Sequence, residues 1–359
     1  MRLTCILLTV LVTCSTTANA ADNSASNRAR QKAVDFLRMM QNRDGSWTRS
    51  NLVGVTGLVT RALIRSGVSL DDSTVAGGLK NLLSHQQADG GFYAKDSLHR
   101  NYETCITVNA LAEANTDGRY DDQIHTAELF LRDLQWDKGE GIETTDSAWG
   151  GGGYGRHQRP DLSNTQYLVE ALKAAGVSND DPAMQRVLVF VSRTQNLETP
   201  ANDTEFAEKI NDGGFYYTPA AGGDSKAGVT ENGGLRSYGS MTYAGLKSMI
   251  YAGLEPDDMR VKAATEWISK HYTLRENPGM GQQGLFYYYL TFSRTMDALG
   301  TEEFVDATGA RHDWKTELTK RLVSLQQPNG SWQNPADRWF EGDPNLVTAY
   351  CLIALSYCD

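Results

Sequence analysis

Gln41-Asn42-Arg43-Asp44-Gly45-Ser46-Trp47 ends an apolar segment of helical periodicity, and a second apolar segment follows in which Thr56 stands seven residues before Leu63. The stretch reads as helix, tight turn, helix. Gly permits a positive-φ turn, Asp or Asn closes it, and the aromatic ring can cover the end of the helix pair. Gln87-Ala88-Asp89-Gly90-Gly91-Phe92 and Gln327-Pro328-Asn329-Gly330-Ser331-Trp332 repeat the pattern, with Asn211-Asp212-Gly213-Gly214-Phe215 and Ser147-Ala148-Trp149-Gly150-Gly151 as looser copies. The Thr recurs as well: Thr104 with Leu111, Thr165 with Leu172, Thr242 with Met249 and Thr348 with Leu355, while the fifth copy has Phe292 with Leu299. Seven residues make almost two helical turns, so both members of each pair lie on one helix face and can pack on the same neighbour. Such a recurrence is the signature of a repeat architecture.

Working outward, the sequence divides into six helix pairs. The first, outer helices are expected near Ala29 to Gln41, Ser73 to Gln87, Asp122 to Gln135, Asp181 to Gln195, Asp258 to Tyr272 and Asp313 to Gln326. The second, inner helices are expected near Val53 to Ser66, Tyr102 to Ala114, Leu162 to Ala175, Gly239 to Ala252, Gln283 to Ala298 and Asn345 to Ser356. The inner set is the more apolar. Helices apolar on most sides belong within a second layer, so the expected fold is all-α, an α/α toroid of six helix pairs. The acidic doublets Asp71-Asp72, Asp121-Asp122, Asp180-Asp181 and Asp257-Asp258 open outer helices, where carboxylates accept bonds from free amides and complement the helix dipole.

Residues 1–20 read as a secretory leader: Arg2, the apolar run Leu3 to Val12, and the small-residue site Ala18-Asn19-Ala20. The expected product is secreted or periplasmic, cleaved near Ala20, with a single toroid domain over 21–359 and a long loop at 196–237. No later apolar run approaches the ~20 residues that span a bilayer. A net charge of −10 without a basic run argues against nucleic acid as a partner. After loss of the leader three cysteines remain, an odd number; Cys351 and Cys358 stand too far apart along one helix for a bridge.

The turns resemble the Gln-Trp repeats of squalene and hopene cyclases, and the whole pattern is similar to the α/α toroid those enzymes share with protein prenyltransferase β subunits. The resemblance runs from about Ala29 to the C-terminus. It implies a central cavity for an apolar or polyisoprenoid ligand. In the cyclases an Asp-x-Asp-Asp motif directly precedes an inner-helix Thr, and its second Asp protonates the substrate. The matching segment here is Asp161-Leu162-Ser163-Asn164-Thr165, with Asp161 in the first acidic position and Ser163 in place of the donor. A hydroxyl is far too weak an acid for that step. The prenyltransferases place zinc ligands, among them a Cys and a His, directly before the aligned inner-helix position. The residues in that place are Val55, Glu103, Asn164, Met241, Thr291 and Val347, so neither zinc chemistry nor another metal or cofactor is expected. Gly279-Met280-Gly281-Gln282-Gln283 is superficially similar to the thioester sequence of complement-type proteins, but Met280 replaces the reactive Cys.

Two carboxyl groups are the catalytic candidates. Glu103 is the acidic residue directly before an aligned Thr, a place that faces the cavity in the resembling folds, where burial would raise its pKa. Asp161 is the second. Tyr102, Asn164, Tyr238, Tyr243, Tyr288, Tyr289 and Arg236 are the candidate ligand-binding residues. Neighbouring residues of the run Phe286 to Tyr289 diverge by about 100°, so only one or two of its rings can face one cavity. The expected function is an exported, cyclase-like repeat protein that binds an apolar or isoprenoid small molecule. The alternatives are an active terpene cyclase using Asp161 or Glu103 as acid, a glycan-active or glycan-binding toroid, and a protein-interaction scaffold.

Overall fold

Thirteen α-helices are described, and six of them form a closed inner ring. The protein was studied as a computed structural model that describes residues 12–155 and 158–359. Residues 1–11 of the expected leader lie outside this range, as do the side chains up to residue 23. The inner helices are α2 (Val53–Arg65), α4 (Arg100–Ala114), α6 (Leu162–Ala174), α9 (Gly239–Tyr251), α11 (Leu285–Ala298) and α13 (Pro344–Leu355). Each packs on the next, and α13 returns to pack on α2. Around them lie α1 (Val12–Met40), α3 (Ser73–Leu83), α5 (Asp121–Asp133), α7 (Pro182–Arg193), α10 (Met259–His271) and α12 (Trp314–Leu325). This is the expected α/α toroid. Among the described residues no helix is long and apolar enough to cross a membrane.

The repeated residues explain the architecture bond by bond. Each aligned Thr accepts a hydrogen bond from the backbone N–H of its own turn: Trp47 to Thr56 at 3.3 Å, Phe92 to Thr104 at 3.0 Å, Gly152 to Thr165 at 3.0 Å, Phe215 to Thr242 at 3.1 Å and Trp332 to Thr348 at 3.1 Å. The Thr is thus a staple between turn and inner helix, satisfying an amide that would otherwise be buried without a partner. The Gln residues act sideways. The Gln41 amide donates to Gly45 O and to Thr74 O of the next outer helix, and Gln135, Gln195 and Gln326 repeat this double bond in their own pairs. In the turns the Gly is obligatory: Gly150 has φ +83°, and a Cβ there would stand 1.9 Å from Arg186 O.

The fifth pair departs from the rule because its connection has no such turn. Between α10 and α11 the buried Asn277 takes over, accepting from Ser240 N at 2.9 Å and donating to Gln283 O at 3.1 Å. A small hairpin of β1 (Glu303–Val305) and β2 (Arg311–Asp313) then leads into α12, an element the helical reading did not include. The segment 196–237 contains a one-turn helix, α8 (Ala207–Ile210), and isolated bridges, among them Thr218 with Asp224 and Val229 with Leu235. Cys105, Cys351 and Cys358 are all unbridged.

Candidate active site

The N-terminal ends of the inner helices surround a cavity of about 350 Å³ lined by seven tyrosines: Tyr102, Tyr154, Tyr167, Tyr217, Tyr238, Tyr287 and Tyr350. Trp339 and Phe340 stand at its mouth, both in the left-handed backbone region at φ +58° and +68°. Holding two consecutive bulky residues there costs of order 1–3 kcal/mol each, a strain usually retained at functional sites. Gly284 makes room for the Trp339 ring, which lies 3.1 Å from where a Cβ would be.

The rings form a connected wall. Tyr102 meets Tyr167 edge-on with centroids 5.1 Å apart, a favoured arrangement for aromatic pairs, and Tyr287 approaches Tyr350 at 6.1 Å. Tyr287 also reaches from α11 to α6, a helix that is not its neighbour in the ring. Its hydroxyl lies 2.9 Å from Ser163 Oγ and accepts from the Gln166 amide at 2.8 Å. The lining is therefore apolar on ring faces and polar at a few fixed hydroxyls, the usual composition of a small-molecule site.

Two carboxyl groups face this cavity. Glu103, from the first turn of α4, is buried and accepts from Ala94 N at 3.3 Å; burial pushes it up to about 7, against that bond and one from Ser97. Glu341, just before α13, accepts from Tyr287 N and from the Asn334 amide, both at 2.6 Å, and burial lifts it to about 7 against these donors. Asp161 is one layer back. It caps α6, accepting from Asn164 N at 2.9 Å and Asn164 Nδ2 at 2.8 Å, and burial raises it to about 6. The Tyr217 hydroxyl bonds Asp161, linking it to the cavity wall.

Of the residues singled out in the sequence, Glu103, Tyr102 and Tyr238 line the cavity together. Asp161 and Asn164 bond one another behind the wall. Tyr243, Tyr288 and Tyr289 are placed elsewhere: Tyr243 packs against Tyr288 and Phe292, while the hydroxyls of Tyr288 and Tyr289 donate to Thr273 O and Leu274 O. Arg236 is exposed on the long segment and outside the lining. Within the aromatic run of α11 it is Tyr287 that faces the lumen. Tyr154, Tyr167, Tyr217, Tyr350, Trp339, Phe340 and Glu341 were not singled out. A signal existed for two of them: Tyr167 and Tyr350 each stand two residues after an aligned Thr, the same register in two repeats.

Seven residues deeper the lumen changes character. Arg61, Glu170, Lys247 and Arg294 follow the cavity-lining Gly54, Ser163, Ser240 and Tyr287 by that spacing, on the same faces of α2, α6, α9 and α11. Glu170 meets Arg294 at 3.0 Å, Arg61 at 3.5 Å and Lys247 in closer contact. Burial works against the charge of Glu170, but Arg294, Lys247 and Arg61 outweigh it and hold the carboxyl at about 2.

A closed ring of paired helices with an aromatic cavity on its axis is an α/α toroid, and comparison with known proteins agrees on that fold. Residues 50–218 match the family described as the squalene-hopene cyclase C-terminal domain. The fold is similar to solved structures of the type II terpene cyclase MstE from Scytonema. A point variant in complex with the product merosterolic acid A superposes with a TM-score of 0.56 at 14% identity, covering 94% of this chain and 98% of that one. A second variant, in complex with the substrate geranylgeranyl dihydroxybenzoate, gives 0.55 at 14% identity over the same shares. No curated protein matches the sequence. The chain thus shares the α/α toroid fold of the terpene cyclases, and just under half of it is similar to the squalene-hopene cyclase family.

Proposed function

We propose that the protein binds an apolar, isoprenoid-class small molecule in the tyrosine-lined cavity, with Glu103 as the group that exchanges a proton with it. The observation that carries this reading is the lining itself: seven tyrosine rings and a Trp-Phe pair at the mouth enclose about 350 Å³, with a protonatable carboxyl in the wall. Ring faces suit an isoprenoid chain, and the complexes of MstE with geranylgeranyl dihydroxybenzoate and merosterolic acid A supply the analogy for ligand class.

A carboxyl titrating near 7 is half-protonated at neutral pH and so suited to exchange a proton with an oxygen substituent, whereas protonating an unactivated alkene calls for a stronger acid. Glu103 therefore acts on a hydroxyl, ether or carbonyl oxygen of the ligand. Cyclisation begun at Asp161 is the weaker alternative, since both its oxygens already accept from Asn164 and it stands behind the lining. Secretion or export to a periplasm, which the leader sequence suggests, would make the ligand an extracytoplasmic lipid.

The test is native mass spectrometry of the purified protein after exposure to total lipid and to soluble glycans. A retained isoprenoid, lost on filling the cavity, is the expected result. Retained oligosaccharide in its place would move the function to the glycan alternative, and no retained ligand would leave the scaffold reading.

A further inference from the structure

The ionic floor of the lumen is unbalanced. Arg61, Arg65, Lys247 and Arg294 meet Glu113 and Glu170, so four cations face two carboxylates. Three of the cations are deep: the side chains of Lys247 and Arg294 are 0% and 1% exposed, and that of Arg61 10%. Buried charge without a counter-charge is costly, and groups in that situation normally neutralise or find an anion. Burial lowers Lys247 to about 8, with Arg294 and Arg61 pressing the same way, yet that still leaves it charged at neutral pH.

Arg294 shows where the missing charge would sit. Its Nη1 donates to Glu170, while Nε and Nη2 are buried and have no hydrogen-bond partner. These two nitrogens share one edge of the guanidinium, and such an edge binds a carboxylate or phosphate through two parallel bonds. Buried donors left unmet are costly. Tyr167, in the cavity wall, is one of the groups that act electrostatically on Arg294. Tyr287 and Arg294 are seven residues apart on α11, about 10 Å along the axis.

We propose that the floor of the lumen is an oxyanion site, in which the free edge of Arg294, with Lys247 and Arg61 beside it, holds a carboxylate or phosphate group. Two sources share this chemistry: the acid end of an amphiphile whose apolar portion fills the cavity, or a free inorganic ion. The first rests on the cavity reading above; the second does not.

Calorimetric titration of the full chain separates them, with geranylgeranoic acid, geranylgeraniol and inorganic phosphate as the three probes. If the acid end is the source, the acid binds at least tenfold more tightly than the alcohol, and Arg294→Gln removes that preference while the alcohol's affinity stays within about twofold, since tenfold corresponds to about 1.4 kcal/mol. If a free ion is the source, phosphate binds the wild type and raises its melting temperature, and Arg294→Gln abolishes both effects. Should Arg294→Gln not fold, Arg294→Lys keeps the charge and loses the two-bond edge; an unreduced preference for acid, or undiminished phosphate binding, would overturn the proposal. Equal binding of acid and alcohol with no response to phosphate removes the oxyanion site and leaves the cavity reading intact. Phosphate binding without binding of either lipid does the reverse.

Discussion

The upper and lower levels of the lumen are made by the same inner helices at positions seven residues apart, and they solve opposite electrostatic problems. At the upper level two carboxyl groups are buried among tyrosine rings, and among the described residues hydrogen-bond donors rather than cations oppose that burial, which raises Glu103 and Glu341 to about 7. At the lower level Glu170 is surrounded by cations and falls to about 2 although it too is buried. Burial alone therefore sets neither protonation state. The neighbours do, and a helical repeat of seven residues is enough to exchange one kind of neighbour for the other. The upper level is left able to trade protons near neutral pH, and the lower level is fixed in charge.

The contrast between the levels is most severely challenged at Glu170. Glu170→Gln leaves Arg294, Lys247 and Arg61 without their shared carboxylate and should cost about 3–5 kcal/mol, measured by denaturant unfolding at pH 7. A loss below about 1 kcal/mol would mean that the floor is not held by this ion. The loss should shrink in phosphate if the oxyanion site is real.

A smaller effect of opposite sign is expected at the other end. The folded-state pKa of Glu103 lies above its unfolded value, so the folded protein binds the proton more tightly and this group's stability is lost as pH rises from about 4.5 through 7. Glu103→Gln should be neutral at pH 4 and should stabilise by about 3 kcal/mol at pH 8. A variant that is equally stable relative to wild type at both pH values would show that Glu103 titrates normally. Thr104→Val, which removes the staple to Phe92 N, lies outside both levels of the lumen and serves as the reference: about 1 kcal/mol lost, independent of pH between 5 and 8.

The fold was legible because its signals are local and repeated. A Thr, a Gln and a turn Gly each make one kind of bond that recurs around the ring, so the five stapled repeats announce themselves in the chain. The fifth pair was misaligned in just those features, and there Asn277 supplies from a loop what no repeat position encodes. The site was less legible. Glu103, Tyr102 and Tyr238 could be placed because they stand at inner-helix starts, but Glu341, Trp339 and Phe340 come from an irregular segment whose course follows no periodicity. Tyr154 and Tyr217 are likewise loop residues. In α11 the run Phe286 to Tyr289 offered several rings, and only the helix phase, fixed by packing against α9 and α13, selects Tyr287. The ion network joins residues as distant as Arg61 and Arg294, a partnership that closure of the ring creates and sequence proximity does not.

The central claim, that the tyrosine-lined cavity is where the ligand sits, is tested most directly by measuring the dissociation constant of geranylgeraniol for the wild type and for Ser163→Trp, which places an indole in the cavity beside Tyr287. The account predicts saturable one-to-one binding to the wild type and at least tenfold weaker binding to a variant that still unfolds cooperatively. Unchanged affinity in the filled variant, or no binding to the wild type, would contradict it.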